Sequence, residues 1–143
     1  MKPHFKTLGE IMITNTLVAT ENTWAYTAAV RLLETSFQGL PVLDRSGKVV
    51  GKVTEIDLLK ALKEGKDLKA IRVKDIMAPA PPVVSTETPL ERAVEIMDAH
   101  HLTRLPVMKG SRFLGSVTRH DLLRAWLGFW VDYERGRYAQ VMG

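Results

Sequence analysis

The chain has 143 residues, 45% of them hydrophobic and 25% charged, with a formal net charge of +4 from 20 basic and 16 acidic side chains. These proportions exclude a disordered or collagen-like chain, and at this length about 68–70% of the unfolded surface can be buried, enough for a real core. No apolar run nears the ~20 residues of a spanning helix, and the charged N-terminus, Met1–Lys6, has no apolar stretch behind it, so neither a membrane span nor a signal peptide is expected. Cysteine is absent, which removes disulfides, thiol nucleophiles and thiolate zinc sites. With no export signal, a cytoplasmic location is the expectation. The basic residues are scattered, with mild clusters over Lys60–Lys74 and Arg104–Arg124 and no long like-charge block. That pattern argues against nucleic acid and suits a phosphate-bearing small molecule.

In chain order, Leu17-Val18-Ala19 has strand character and precedes a helix on which Ala25, Ala29, Leu32 and Leu33 share a face. Two strands follow, Leu40–Asp44 and Lys48–Val53, joined by the turn residues Arg45-Ser46-Gly47. A second helix starts at Thr54 and stops at Gly65, a suitable C-terminal cap. The same series then recurs. Val83-Val84-Ser85 precedes a helix with Leu90, Val94 and Met97 on one face; the strands Leu105–Met108 and Phe113–Val117 follow, and a helix starts at Thr118.

The recurrence is visible residue by residue. Glu10-Ile11-Met12 is echoed by Asp75-Ile76-Met77, Leu40-Pro41-Val42 by Leu105-Pro106-Val107, and the Gly51–Leu59 stretch by Gly115–Leu123, all 64–65 residues apart and in the same order. The chain is therefore read as two copies of one α/β unit, β-α-β-β-α, over 1–65 and 66–126, with a tail over 127–143. Each copy has too little sheet to close a core alone, so the two are expected to pack sheet to sheet as a pseudo-two-fold module. The last helix is expected to run on through Leu123, Trp126, Leu127 and Trp130, the i, i+3, i+4, i+7 face of a helical tail. Trp126 and Trp130 then either cover the module's own core or form an oligomer surface. The charged segment Asp132–Arg137 follows.

The order apolar strand, helix, Gly-Leu-Pro-Val and Gly-x-Val-Thr-x-x-Asp-Leu-Leu resembles the CBS domain (cystathionine-beta-synthase-type), and two in tandem resemble that family's Bateman module. The resemblance covers roughly residues 8–126. It implies an adenine nucleotide (AMP, ADP or ATP) or related adenosyl ligand bound as a regulatory ligand in the clefts between paired domains. It also implies a disc-shaped homodimer and a separate regulated protein as partner. Carried over by motif, Asp57 and Asp121 accept from ribose hydroxyls, and Thr54 and Thr118 contact ribose or phosphate. Val18, Ala19, Leu40 and Pro41 flank one base; Val83, Val84, Leu105 and Pro106 flank the other.

Physical chemistry allows these roles. A carboxylate can accept from both cis hydroxyls of a ribose, and a helix N-terminus offers free N–H groups to a phosphate. Gly51 and Gly115 would let a strand approach a ligand closely. The second copy carries the local cations, Arg104, Arg119 and His120, where the first has Gly39, Glu55 and Ile56. The second is thus the expected phosphate site, with Lys52 a possible substitute in the first. S-adenosylmethionine, being cationic, fits only the cation-poor first copy.

Other readings stand beside these. Thr-x-x-Asp at a helix start is also a capping box, which competes for the same Asp oxygens. His100-His101 lie about 100° apart on a helix and cannot readily chelate one ion; a helix-end role suits them better. No nucleophile–base arrangement or phosphate-cradling Gly loop is present, so binding rather than catalysis is expected. The rival to a ligand sensor is a dimerisation scaffold that presents its Trp-bearing helix and binds no nucleotide.

Overall fold

The computed structural model describes every residue except Met12, Thr14, Ser36, 133–136 and 141–143, and for 130–132 and 137–140 it describes the backbone alone. The first repeat runs β1 (Ala19–Thr20), α1 (Ala25–Thr35), β2 (Gly39–Leu43), β3 (Val49–Thr54) and α2 (Glu55–Lys63), followed by a short β4 (Ala78–Pro79). The second runs β5 (Val84–Ser85), α3 (Leu90–Ala99), β6 (Arg104–Lys109), β7 (Arg112–Thr118) and α4 (Arg119–Leu127). β1 pairs parallel with β2 and β5 parallel with β6, while β2 and β3 are antiparallel. Each repeat is thus β-α-β-β-α on a mixed sheet, the α/β class read from the sequence.

Register fixes which side chains face inward. Leu40 lies opposite Val53, and both are buried with Val42 and Ala19 in the first core. Side chains alternate across a strand, so the Gly39–Thr54 and Pro41–Lys52 pairs lie on the other face. The second core matches it with Val84, Leu105, Val107 and Val117.

The helices rotate relative to the faces read from sequence. α1 buries Ala25, Ala28 and Leu32, whereas Leu33 is 82% exposed. α3 likewise buries Leu90, Ala93 and Met97 and leaves Val94 42% exposed. Alanine at the i+3 position lets the helix sit close to the sheet, so the buried stripe follows the small residue rather than the larger aliphatic next to it.

Two compact units result. One comprises Leu17–Pro81 with Ser111–Phe113; the other comprises Met1–Thr16, Pro82–Gly110 and Leu114–Gly143. Each unit joins one repeat to the segment preceding the other. In the second unit Leu8 is fully buried, with Phe5, Ile11 and Ile13 packed against the same core. Asn15 bridges Ser116, whose N–H donates to the Asn15 carbonyl at 2.7 Å. In the first unit Val73 is fully buried beside Ile76 and Met77, and β4 pairs with β3 through Gly51 and Lys52. The echoed Ile11 and Ile76 each follow a 3-10 turn, Leu8–Glu10 and Val73–Asp75. Each leads a segment that covers the outer edge of a strand, which removes an open row of backbone donors and acceptors. Met12, in the first echo, lies outside the described residues.

The helical tail expected over 127–143 is not what forms. α4 stops at Leu127 because Gly128 turns left-handed, with φ 76° and ψ 34°. The chain then forms a hairpin of β8 (Phe129–Asp132) and β9 (Arg137–Gln140), with Trp130 opposite Ala139. Trp126 packs partly on the second core, and its Nε1–H donates to the Met1 carbonyl at 3.1 Å. The Trp130 side chain and residues 133–136 of the charged segment lie outside the described residues.

Candidate functional site

Each second helix begins in the same way. Thr54 and Thr118 are N-caps in extended backbone, and both start a complete capping box. In the first repeat the Asp57 N–H donates to the Thr54 hydroxyl oxygen at 3.4 Å, and Asp57 Oδ2 accepts from the Thr54 N–H at 2.9 Å and its hydroxyl at 2.8 Å. In the second the Asp121 N–H donates to the Thr118 oxygen at 3.0 Å, and Asp121 Oδ2 accepts from the Thr118 N–H at 2.9 Å. Thr at N-cap with an acid at N3 satisfies two otherwise unpaired helix donors, which explains the motif locally. One carboxylate oxygen, Oδ1, is left over in each repeat.

That remaining oxygen is where the repeats part. Asp121 Oδ1 forms an ion pair with Arg124 at 3.0 Å, with the two side chains only 19% and 17% exposed. The half-buried Arg104 adds a second cation: burial lowers its guanidinium pKa, and the Asp121 charge acts against that shift. In the first repeat no described residue pairs with Asp57 Oδ1, Lys60 in the place of Arg124 is exposed, and Gly39 stands in the place of Arg104. Lys52 lies on the same sheet face as Thr54 by strand alternation.

The structure sorts the other sequence-nominated residues. Ala19, Leu40, Val84 and Leu105 are core residues, 0%, 1%, 6% and 0% exposed, so these positions can offer a ligand their backbone but not their side chains. Pro41 and Pro106 are buried. Val83 is 47% exposed, and half-buried Val18 has its carbonyl oxygen bonded to Arg31 Nη1 at 2.9 Å. Arg119 donates its Nε–H to the Leu102 carbonyl at 2.7 Å. With Asp98, Leu123 and Trp126 it lines a depression of about 410 Å³ between α3 and α4. His120 is exposed at the start of α4.

The glycines serve the fold rather than a ligand. A Cβ on Gly51 would lie 2.8 Å from the Ala78 carbonyl oxygen and 2.7 Å from Met77 Sδ. On Gly115, with φ +155°, it would lie 2.6 Å from the Asn15 oxygen and 2.8 Å from Ile13 Cγ2. The close approach they permit is that of the covering segment. His100 caps the C-terminus of α3 and His101 adopts φ 54°. Among the described residues no group of three metal-ligating side chains gathers, and no helix is long and apolar enough to cross a membrane.

Arg124 was missed by sequence reasoning, although its signal was present: an arginine three residues after an aspartate on a helix is within reach of it. Also missed were the hydroxyl turns before α1 and α3, where Thr23 Oγ1 accepts from the Thr20 N–H and Thr88 Oγ1 from the Ser85 N–H.

Residues 8–64 and 73–128 match the CBS domain family, and the chain belongs to it. A crystal structure of CBSX2 in complex with AMP is similar at 32% identity and TM-score 0.69, covering 85% of this chain and 96% of that one, and one of CBSX2 from Arabidopsis thaliana at 30% identity and TM-score 0.69, covering 83% and 92%. Inosine-5'-monophosphate dehydrogenase of Methanocaldococcus jannaschii is 35% identical over 67% of this chain but only 19% of its own length. The uncharacterized protein YlbB of Bacillus subtilis is 32% identical over 68% of this chain and 66% of its own. What is shared with the dehydrogenase is thus a CBS-sized stretch of a much longer enzyme.

Proposed function

We propose that this chain is a regulatory module that binds an adenosine-containing ligand of the AMP, ADP or ATP type and reports its occupancy to a separate regulated protein. The observation that carries the reading is the pair of Thr-capped carboxylates at matching places of two repeats. Each is fixed by its own capping box with one oxygen directed away from the helix donors. The ribose hydroxyls donate to Asp57 or Asp121, and the phosphate is met by Arg104 in the second repeat and by Lys52 in the first. The AMP complex of CBSX2, at 32% identity, supports the choice of ligand class. Regulation follows if the ligand prefers one arrangement of the module over another. Two copies associate as a homodimer through the helical faces on which Leu33, Leu59, Leu62 and Leu123 are exposed.

A thermal-shift panel with AMP, ADP, ATP, S-adenosylmethionine and no ligand tests the reading. A ligand that binds only the folded state at about 100 times its Kd adds about 2.7 kcal/mol, which such a scan resolves. A shift with a nucleotide that Asp57→Ala and Asp121→Ala together abolish supports it. A flat panel on nucleotide-free protein leaves the scaffold reading, for which the specific observation is that both carboxylates already serve helix caps. S-adenosylmethionine alone giving a shift would point to the first repeat, where no arginine stands at position 39.

A further inference from the structure

Three ion pairs occur among the described residues. Two, Lys66–Glu64 and Arg92–Glu95, are exposed surface pairs with every side chain at least 46% accessible. The third, Asp121–Arg124, is held at 17% and 19% exposure on the very carboxylate that the proposed function assigns to a ribose. Its two oxygens are both engaged, Oδ2 by the Thr118 N–H and Oδ1 by Arg124. Arg104 adds a second positive charge to the same carboxylate. The second seat is therefore closed by an internal cation. Among the described residues the first shows no such pair on Asp57.

This difference has a chemical consequence. A ribose diol whose two hydroxyls both take Asp121 Oδ1 must displace Arg124, leaving a half-buried guanidinium without its counterion. An uncharged nucleoside offers nothing to that cation. A ligand with a phosphate offers a replacement anion, and the two arginines can then share it while the carboxylate turns to the hydroxyls. We propose that Arg124 is the specificity-determining residue of the second repeat, an internal occupant of the ribose seat that yields to phosphorylated nucleosides and holds out unphosphorylated ones. The first repeat, with Oδ1 of Asp57 unengaged among the described residues, does not discriminate in this way. This inference rests on the ribose role of Asp121 given above.

The test is calorimetric titration of the full, nucleotide-free chain with AMP and with adenosine. An Asp57→Ala background silences the first seat, and Arg124→Met keeps most of the apolar stem while removing the charge. In the background alone, AMP should bind at least about tenfold tighter than adenosine, the scale of one charge-assisted contact. Adding Arg124→Met should bring the ratio towards unity, largely by tightening adenosine, and Arg124→Lys should restore much of the preference. An AMP-to-adenosine ratio that Arg124→Met leaves within about twofold overturns the role of Arg124 while leaving nucleotide binding intact. Binding of AMP to wild type that is lost in the Asp57→Ala background overturns it too, by placing all binding in the first repeat. No binding of either compound to wild type overturns the functional reading itself, and this inference with it.

Discussion

The two repeats build their second helices from one local recipe and then surround the result differently. Thr54–Asp57 and Thr118–Asp121 make the same capping box with nearly the same backbone bond, 2.9 Å from N-cap N–H to Oδ2 in both. Around the first stand Gly39 and an exposed Lys60; around the second stand Arg104 and a largely buried Arg124. The lesson is that a shared motif reports helix initiation first. Whether it also reports a ligand is decided by residues outside the motif, and those differ between the copies.

The strongest way to probe the comparison is where the repeats should behave alike. Leu40→Ala and Leu105→Ala each remove a fully buried side chain at the same place of the two cores and should each cost about 2–5 kcal/mol in chemical denaturation. A cost near zero at either would mean that the side chain is available to a ligand rather than committed to the core. The glycines should then separate the repeats. Gly115→Ala combines a positive φ with backbone contact to Asn15 and should cost about 3 kcal/mol, whereas Gly51→Ala, with ordinary φ and a flexible Met77 as one of its neighbours, should cost about half as much. Equal losses would mean that the covering segments hold the two strands in the same way.

A smaller effect concerns the carboxylates. A double-mutant cycle between Asp121 and Arg124 should return a coupling of about 1 kcal/mol, the upper end for pairs still partly reached by solvent, and the matching cycle between Asp57 and Lys60 should return none. In ligand binding, Arg104→Ala should weaken AMP more than Lys52→Ala; equal weakening removes the electrostatic distinction between the seats.

The smallest expected effect lies in the β2–β3 turn. The Ser46 hydroxyl, followed by the Lys48 N–H, holds the Asp44 carboxyl below its ordinary value of 3.8. Lowered in the folded state, this group adds stability above its unfolded pKa and loses it as pH falls through the folded value. Asp44→Ala should therefore flatten the acid side of the Tm-against-pH curve slightly and leave the neutral side nearly parallel to wild type. The corresponding turn of the second repeat, Lys109-Gly110-Ser111-Arg112, has no carboxylate and should show no such acid-side term.

Much of this was legible in the chain itself. Two repeats, their element order, both helix starts and the four principal strands follow from local signals: alternation, turn residues, and Thr-x-x-Asp at a helix start. The capping boxes were legible because a cap and its partner lie three residues apart. The helix faces were not, since Ala28 and Ala93 compete with Leu33 and Val94 for the buried stripe, and only the distance to the sheet selects the smaller side chain. The tail misled for a related reason. Trp126, Leu127 and Trp130 keep a helical period that one left-handed glycine at 128 ends.

By itself, then, the sequence determined the repeat, the fold class and the family, because all three are written in contacts between near neighbours and in spacing. Tertiary structure alone decided that residues 1–16 pack in one unit with residues 82–110 and that Gly51 and Gly115 make room for covering segments. It also put Arg119 into the α3–α4 depression and left the Asp121–Arg124 pair only partly exposed to water. Each of those depends on long-range packing or on how much water a charge pair retains, quantities that no local pattern of residues specifies.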